Sequence, residues 1–143
     1  MLINLRQATY ADIPVLLDIE KSVAGTKLYS PMLAKGEWED ELKKSTVYVI
    51  EVNAVPVGSI SYKKRNDGSA YISGLAVSSK FQGRGFARAA LTCVLEEIGN
   101  MKRIDLVTHP DNSAALKLYQ SLGFIVESRK ENYFSDGEPR LVL

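Results

Sequence analysis

Cysteine and histidine are almost missing from this 143-residue chain, and no long apolar run interrupts it. Cys93 is the only cysteine, so an internal disulfide and a cysteine-based zinc site are both excluded. No stretch of about 18 consecutive apolar residues occurs, so the sequence predicts no membrane span. The first residues lack the basic-then-apolar layout of a signal peptide. Together these absences favour a cytoplasmic protein.

Strong charge of one sign is also missing. The formal net charge is +1, with 18 basic and 17 acidic residues, so no global field would recruit nucleic acid or an anionic membrane. We therefore expect neither nucleic acid nor a membrane among the partners. No bound metal is expected either. The length and a hydrophobic fraction of 45% predict one domain over residues 1–143 with a sizeable core.

The hydrophobic pattern predicts an α/β fold. Strands are predicted over residues 2–8, 47–52, 55–62, 70–77, 104–107, 124–131 and 138–143. Helices are predicted after the capping pair Thr9 and Asp12, from about Ser30–Pro31 with Trp38 in the core, and over residues 85–98 and 112–122. This order, β-α-α-β-β-β-α-β-α-β-β, predicts a central twisted mixed sheet of about seven strands flanked by about four helices. The strand at 104–107 should lie parallel to residues 71–77. Cys93 is expected to be a partly buried packing residue of the 85–98 helix.

A glycine-bearing loop, Gln82-Gly-Arg-Gly-Phe-Ala87, joins a predicted strand to a strongly amphipathic helix. Such a loop presents unpaired backbone N–H groups at the positive end of the helix dipole, which favours binding of a phosphate. Alone it is also compatible with a nucleotide-binding protein of Rossmann type. That alternative requires an alternating series of parallel strands, and the pattern here predicts an antiparallel meander before the loop.

A second motif, Asn112-x-x-Ala-x-x-Leu-Tyr119-x-x-x-Gly-Phe124, follows on the last predicted helix. Ala115 and Leu118 share the buried side of that helix, and Tyr119 lies at the edge of the stripe. Taken singly, Tyr119 is typical of an aromatic residue packing at a helix rim, and Asn112 of a helix cap.

Together the two motifs resemble the signature of the GNAT superfamily of acetyl-CoA-dependent N-acetyltransferases. In that signature, Arg/Gln-x-x-Gly-x-Gly/Ala between a strand and a helix precedes Asn-x-x-Ala-x-x-Leu-Tyr-x-x-x-Gly-Phe. Gln82, Gly85 and Ala87 match the first pattern, and residues 112–124 match the second. The order of elements agrees over essentially the whole chain. Residues 129–139 also resemble the end of the branch that acetylates protein N-terminal amines.

The resemblance implies a GNAT-like fold in which residues 71–77 carry a bulge and splay away from residues 103–107. The pantetheine arm of acetyl-CoA would pair with the open strand edge, and the pyrophosphate would lie on the loop, with Arg84 adding positive charge. Lys80 is a further candidate for such a charge, but both side chains are also compatible with a solvated rim, which is the favoured interpretation for Lys80. The coenzyme-binding residues implied in this way are Leu75, Ala76, Val77, Gln82, Gly83, Arg84, Gly85, Phe86, Ala87 and Asn112.

The implied reaction is direct attack of a neutral amine on the thioester carbonyl. The backbone N–H of Val77 would stabilise the oxyanion, and Tyr119 would protonate the departing thiolate. An unperturbed tyrosine pKa near 10 suits this role because the phenol stays protonated at neutral pH. The general base is left open: Tyr71 and Val107 occupy the positions where the family often carries a glutamate, and His109 or a water chain are alternatives.

The acceptor would be a small-molecule amine or a protein N-terminus, bound between residues 22–38 and 129–138. Tyr29, Tyr133 and Phe134 are available to line that pocket, and Glu20, Glu37 and Asp40 to hold a cationic amine. The sequence is compatible with a monomer or a homodimer. An alternative function is a non-catalytic acyl-CoA-binding or sensing module, which the missing acidic base favours and Tyr119 disfavours.

Overall fold

The computed structural model describes residues 2–143, which form two β-sheets and four α-helices. The strands are β1 Asn4–Gln7, β2 Thr46–Val52, β3 Val55–Lys64, β4 Ser69–Val77, β5 Arg103–Asp105, β6 Val107–Thr108, β7 Ser128–Lys130 and β8 Arg140–Val142. The helices are α1 Ile13–Val23, α2 Lys35–Lys44, α3 Phe86–Ile98 and α4 Ser113–Ser121. No helix within residues 2–143 is long and apolar enough to cross a membrane.

The first sheet has the order β1-β2-β3-β4-β5. Its pairs are antiparallel except β4 with β5, which run parallel from Ser69 opposite Arg103 to Tyr71 opposite Asp105. The connection between these two strands is α3, so the predicted crossover is confirmed. The second sheet has the order β6-β8-β7, with antiparallel pairs.

Helices cover both faces of the first sheet. On one face, α3 buries Phe86, Leu91 and Val94 in the larger apolar cluster, which also receives Tyr119 from α4. On the other face, α1 and α2 form a smaller cluster in which Trp38 is 2% exposed, as predicted for a core residue.

A bulge and a strand break separate β4 from the second sheet. Ser61 of β3 pairs with Gly74 while Tyr62 pairs with Ile72, so Ser73 is the extra residue on β4. Beyond Tyr71 the neighbouring strand leaves β4. Leu106 exchanges backbone hydrogen bonds with Leu143 at 3.0 Å, and β6 then pairs with β8. Within the described residues, the edge of β4 after Tyr71 therefore has no paired strand on this side.

Several predicted boundaries were wrong. The strand predicted at 104–107 is broken at Leu106, because each half pairs with a different sheet. The strand predicted at 124–131 is limited to β7, and Ile125 is 75% exposed, because β8 is only three residues long and pairs only with 128–130. The strand predicted at 138–143 shrinks to β8, because its partners β6 and β7 pair with it only through residues 107–108 and 128–130.

Two expectations on the helices were also wrong. The second helix begins at Lys35 rather than near Ser30, since the Glu37 carboxylate accepts the Ala34 N–H at 3.2 Å and fixes the first turn there. Cys93 is exposed, because the buried stripe of α3 passes through Ala90 and Val94 and leaves it on the outer side.

Candidate active site

A cleft of about 670 Å³ lies where α3 and α4 meet the open edge of β4. The glycine loop, β4, α3, α4 and the segment before α2 all contribute to its wall. Its lining residues are Tyr29, Leu75, Val77, Phe81, Gln82, Gly83, Gly85, Phe86, Ala87, Arg88, Asn112, Ala114, Ala115, Lys117, Leu118, Tyr119 and Ser121. Most of the residues selected from the two sequence motifs thus meet in one cavity.

The glycine loop has the backbone that a phosphate cradle requires. Gly83 and Gly85 have φ values of +79° and +83°, a region that side chains other than glycine rarely adopt. Gly85 is the N-cap of α3, and the first intrahelical bond is from Ala89 N–H to its carbonyl oxygen at 3.1 Å. The N–H groups of the first turn therefore have no acceptor in the helix and face the cleft end. A Cβ on either glycine would meet no protein atom within 4 Å, so the space above the loop is open.

The edge of β4 presents alternate backbone groups to the cleft. Ser78 donates its N–H to Val57 of β3 at 2.8 Å, so by the two-residue alternation of a strand the Ala76 groups also point to β3. The groups of Leu75 and Val77 point the other way, and the Val77 carbonyl oxygen accepts from Gln82 Nε2 at 3.0 Å. Of the three residues selected on this strand, Leu75 and Val77 line the cleft and Ala76 does not.

Two cations that the sequence analysis did not single out line the cleft. The Arg84 guanidinium and the Lys80 ammonium lie over the Phe81 ring, 5.6 and 5.4 Å from its centroid, outside the cleft lining. Arg88 of α3 and Lys117 of α4 line the cleft instead. The two motifs do not include either residue, and the packing of α3 against α4 is what directs their side chains to the cleft. The Arg88 Nη2 donates to Ser121 Oγ on α4.

Helix α4 places Tyr119 against the cleft. Asn112 is its N-cap, with Oδ1 accepting the Ala115 N–H at 3.3 Å, so the cap expected for this residue coexists with a position in the cleft lining. Tyr119 is 8% exposed and packs edge-on against Phe124, with centroids 6.1 Å apart. Burial, and to a smaller extent the neighbouring Tyr29, raises the pKa of Tyr119 to about 12. Its phenol is therefore protonated at any physiological pH.

Each position considered for a general base has a different environment. His109 is 2% exposed; its Nδ1 accepts the Asp111 N–H at 3.0 Å and its Nε2 lies 2.8 Å from Glu138 Oε1. Both ring nitrogens are thus engaged, and His109 joins the start of α4 to the segment before β8. The side chain of Val107 cannot accept a proton. Tyr71 has an ionisable side chain, and its burial is the main cause that raises the pKa of Tyr71 to about 12.

Asp105 is the carboxylate of β5, and it is held by two arginines. Arg65 binds it through two nitrogens at 2.9 and 3.0 Å, and Arg103 Nε lies at 2.9 Å. Although burial opposes them, these guanidinium groups lower the pKa of Asp105. An ionised carboxylate with these partners is suited to holding β5 in place, rather than to accepting a proton.

Of the residues selected for the acceptor pocket, Tyr29 is the one that lines the cleft within residues 2–143. Tyr29 lines the cleft beside Tyr119. Lys27, two residues earlier, pairs with Asp111 at 2.7 Å and so ties this segment to the start of α4. Tyr133 and Phe134, 40% and 42% exposed, pack edge-on in the turn before β8.

Glu20 lies near Glu37 on the neighbouring helix. Burial is the larger cause, and the Glu37 carboxylate the smaller one, that raise the pKa of Glu20 to about 7. Within residues 2–143, no three His, Cys, Asp or Glu side chains are grouped so that they could hold a metal ion.

The model of the acetyltransferase (GNAT) family matches residues 14–124 of this chain. The N-alpha-acetyltransferase 30 of Xenopus laevis is 35% identical over 77 residues, a stretch that covers 51% of this chain and 28% of that protein. The chain therefore spans less than a third of that relative's length.

Solved structures share the fold over nearly the full chain. The ribosomal-protein-S18-alanine N-acetyltransferase of Escherichia coli superposes with a TM-score of 0.84 at 20% identity, covering 99% of this chain and 91% of that one. A GNAT family acetyltransferase from Elizabethkingia anophelis with acetyl-CoA bound gives a TM-score of 0.77 at 20% identity, covering 99% and 95%. At these identities the likeness is one of fold.

Proposed function

The chain belongs to the acetyltransferase (GNAT) family, and from that membership we propose that it transfers the acetyl group of acetyl-CoA to a primary amine. The observation that carries the proposal is the convergence, in one cleft, of the glycine loop, the open edge of β4 and the phenol of Tyr119. These are an anion cradle, a strand edge and a proton donor, which are the parts that this transfer requires.

The proposed coenzyme contacts follow the cleft from α3 to the bulge. The N–H groups of residues 82–87 bind the pyrophosphate, and the side chains of Arg88 and Lys117 add positive charge. Asn112 borders the same cleft. The outward-facing backbone groups of Leu75 and the N–H of Val77 pair with the pantetheine arm as an added strand would.

The oxyanion donor is assigned by the order of these contacts. Val77 is next to the glycine loop, so it is close to the pyrophosphate end of a bound coenzyme. Leu75 is the next outward-facing residue toward the bulge at Ser73, where the acyl end would lie. We therefore assign the oxyanion to the Leu75 N–H rather than to that of Val77. Tyr119 then protonates the thiolate, for which its raised pKa keeps the proton available.

A protein N-terminus is the acceptor that we favour over a small-molecule amine. The relative from Xenopus laevis is named an N-alpha-acetyltransferase, and the structure from Escherichia coli an alanine N-acetyltransferase. The exposed Tyr133 and Phe134, together with Tyr29, offer aromatic surface for the first residues of a peptide. A cytoplasmic location and a monomer or homodimer stay predictions from the sequence.

The test is release of free thiol from acetyl-CoA in the presence of peptides with different N-terminal residues and of small amines. Acetylation of at least one acceptor, confirmed by a mass increase, supports the proposal. A thermal shift with acetyl-CoA and none with NAD is expected alongside, because a ligand that binds only the folded state stabilises it. Binding of acetyl-CoA without acetylation of any acceptor would favour the non-catalytic sensing module instead.

A further inference from the structure

Three side chains form a continuous hydrogen-bonded path that begins at the bulge of β4 and ends at a carboxylate on α2. The hydroxyl oxygens of Ser73 and Ser61 are 3.0 Å apart, and the Ser61 hydroxyl donates to Glu41 Oε2 at 3.1 Å. Ser61 is 2% exposed, so the middle of the path is shielded from solvent. Glu41 is partly exposed, so its carboxylate reaches solvent.

The carboxylate sets the direction of these hydrogen bonds. An ionised carboxylate only accepts, so the one proton of Ser61 is directed to Glu41. The Ser61 oxygen must therefore accept from Ser73, which leaves a lone pair of the Ser73 oxygen free for a further donor. Ser45 donates to the other oxygen, Glu41 Oε1, at 2.9 Å, and holds the carboxylate without joining the path.

Gly74 keeps room for this path. A Cβ at Gly74 would lie 2.9 Å from Ser61 Oγ, closer than real Cβ contacts, so any other residue here would displace the Ser61 hydroxyl. The φ of Gly74 is not positive, so the requirement is for space rather than for a special backbone conformation. The bulge of β4 thus combines an extra residue that carries a hydroxyl with a glycine that lets the next hydroxyl approach.

The path starts where the acceptor amine would react. A coenzyme bound from the glycine loop along Val77 and Leu75 directs its acyl end toward the bulge, and Ser73 is the extra residue of that bulge. Val107 has no acid–base side chain, and both ring nitrogens of His109 are engaged in hydrogen bonds. The path therefore reaches a carboxylate that lies away from the two strands where the sequence suggested looking for one.

We propose that Ser73, Ser61 and Glu41 relay the proton lost by the acceptor amine, an inference that rests on the proposed acetyl transfer. As the amine nitrogen bonds to the acyl carbon, its proton passes to Ser73, the Ser73 proton to Ser61 and the Ser61 proton to Glu41. The carbon–sulfur bond breaks, and the thiolate takes the proton of Tyr119. Glu41 then loses its proton to solvent and Tyr119 regains one, so the protein returns to its starting state.

The test compares Ser61→Ala and Glu41→Gln with Ser45→Ala, all in the full chain and with an acceptor that the unmodified protein acetylates. We expect kcat to fall about 100-fold in the first two variants, the lower part of the range for proton-transfer groups. Acetyl-CoA affinity should be unchanged, since neither residue lines the coenzyme cleft. Ser45→Ala removes a comparable hydrogen bond to Glu41 outside the path and should keep kcat within about twofold.

A proton inventory separates a relay from a structural role. For the unmodified protein, a plot of kcat against the fraction of D₂O should be curved, because several protons move together. The plot for Ser61→Ala should be linear.

Normal turnover of Ser61→Ala and Glu41→Gln, or an equal loss in Ser45→Ala, would overturn the relay and leave acetyl transfer standing. If Ser61→Ala fails to fold, Ser73→Ala at the partly exposed start of the path provides the same comparison. If the unmodified protein acetylates no amine, the proposed function fails and the relay with it.

Discussion

The side chain of Gln82 binds the end of β4: its Nε2 donates to the Val77 carbonyl oxygen at 3.0 Å. Gln82 is the first residue of the glycine loop, and Val77 is the last residue of the strand edge that lines the cleft. One hydrogen bond thereby fixes the position of the phosphate cradle relative to the strand edge proposed for pantetheine. The side chain of this motif residue thus binds the protein backbone.

Replacing Gln82 by alanine should weaken acetyl-CoA binding about fivefold. The loop would lose the hydrogen bond that orders it, and such a bond contributes about 1 kcal/mol, which corresponds to about a fivefold change in affinity. Isothermal titration calorimetry measures the change. Gln120→Ala, on the exposed side of α4, is the control and should bind normally. Equal affinities for the two variants would show that the bond to Val77 does not organise the site.

Gly85→Glu should abolish acetyl-CoA binding while the protein still folds. A side chain and a negative charge would occupy the open space above the loop, where the pyrophosphate must approach the backbone. Forcing φ of +83° on a glutamate costs about 1–2 kcal/mol of stability, which a folded domain tolerates. Binding and thermal melts are measured together.

Gly68→Glu is the matched control for that strain. Gly68 has φ of +85°, lies in the hairpin between β3 and β4, and is outside the cleft lining. It should lose a similar amount of stability and bind acetyl-CoA normally. Undiminished binding by Gly85→Glu would place the phosphate site elsewhere.

The sequence predicted the elements whose periodicity is long and uninterrupted. Helix α3 was expected at 85–98 and found at Phe86–Ile98, and α4 was expected at 112–122 and found at Ser113–Ser121. The parts that were wrong depend on pairing partners rather than on local pattern. The pattern of residues 104–107 predicts one strand, yet the chain changes its pairing partner from β4 to β8 at Leu106. Alternation within a strand does not reveal which neighbour it binds.

The residues of the candidate site also fall into those that local spacing predicts and those that depend on how the elements pack. Gln82, Gly85 and Tyr119 were identified from motif spacing, and all three line the cleft. Arg88 and Lys117 were missed because a charged residue on a helix is usually solvated, and only the packing of α3 against α4 turns these two to the cleft. The path through Ser61 and Glu41 joins residues 20 positions apart, on β3 and α2, and no local spacing predicts that contact.

Tyr119→Phe should lower kcat about 100-fold and leave acetyl-CoA affinity nearly unchanged. The substitution keeps the ring that packs on Phe124 and removes the proton that the departing thiolate requires. With a pKa of about 12, Tyr119 should remain a donor across the usual assay range, so no alkaline loss of kcat below pH 10 should trace to its ionisation. Steady-state kinetics from pH 6 to 10 measure both effects.

The control for Tyr119→Phe is Tyr48→Phe. Tyr48 donates to Glu97 at 2.6 Å, away from the cleft, so this variant also loses a tyrosine hydroxyl without affecting the proposed chemistry. Its turnover should equal that of the unmodified protein. If both variants turn over normally, Tyr119 has a packing role and the proton comes from solvent.

Glu20→Gln should stabilise the protein at alkaline pH and have little effect in acid. Burial and the nearby Glu37 raise the pKa of Glu20 from 4.5 to about 7, so the folded state retains a proton that the unfolded chain has lost. The stability of the unmodified protein should therefore fall, relative to the variant, as pH rises from about 4.5 to 7, and stay lower above that window. Because Glu20 is partly exposed, solvent screening reduces the expected gain in the free energy of unfolding at pH 8 to about 1 kcal/mol.

Urea unfolding at pH 4.5 and pH 8 measures the difference between Glu20→Gln and the unmodified protein. Asp18→Asn, which removes an exposed carboxylate on α1, is the control for the loss of a negative charge from this helix. A gain for Glu20→Gln that is the same at both pH values would mean that burial does not hold the proton on Glu20.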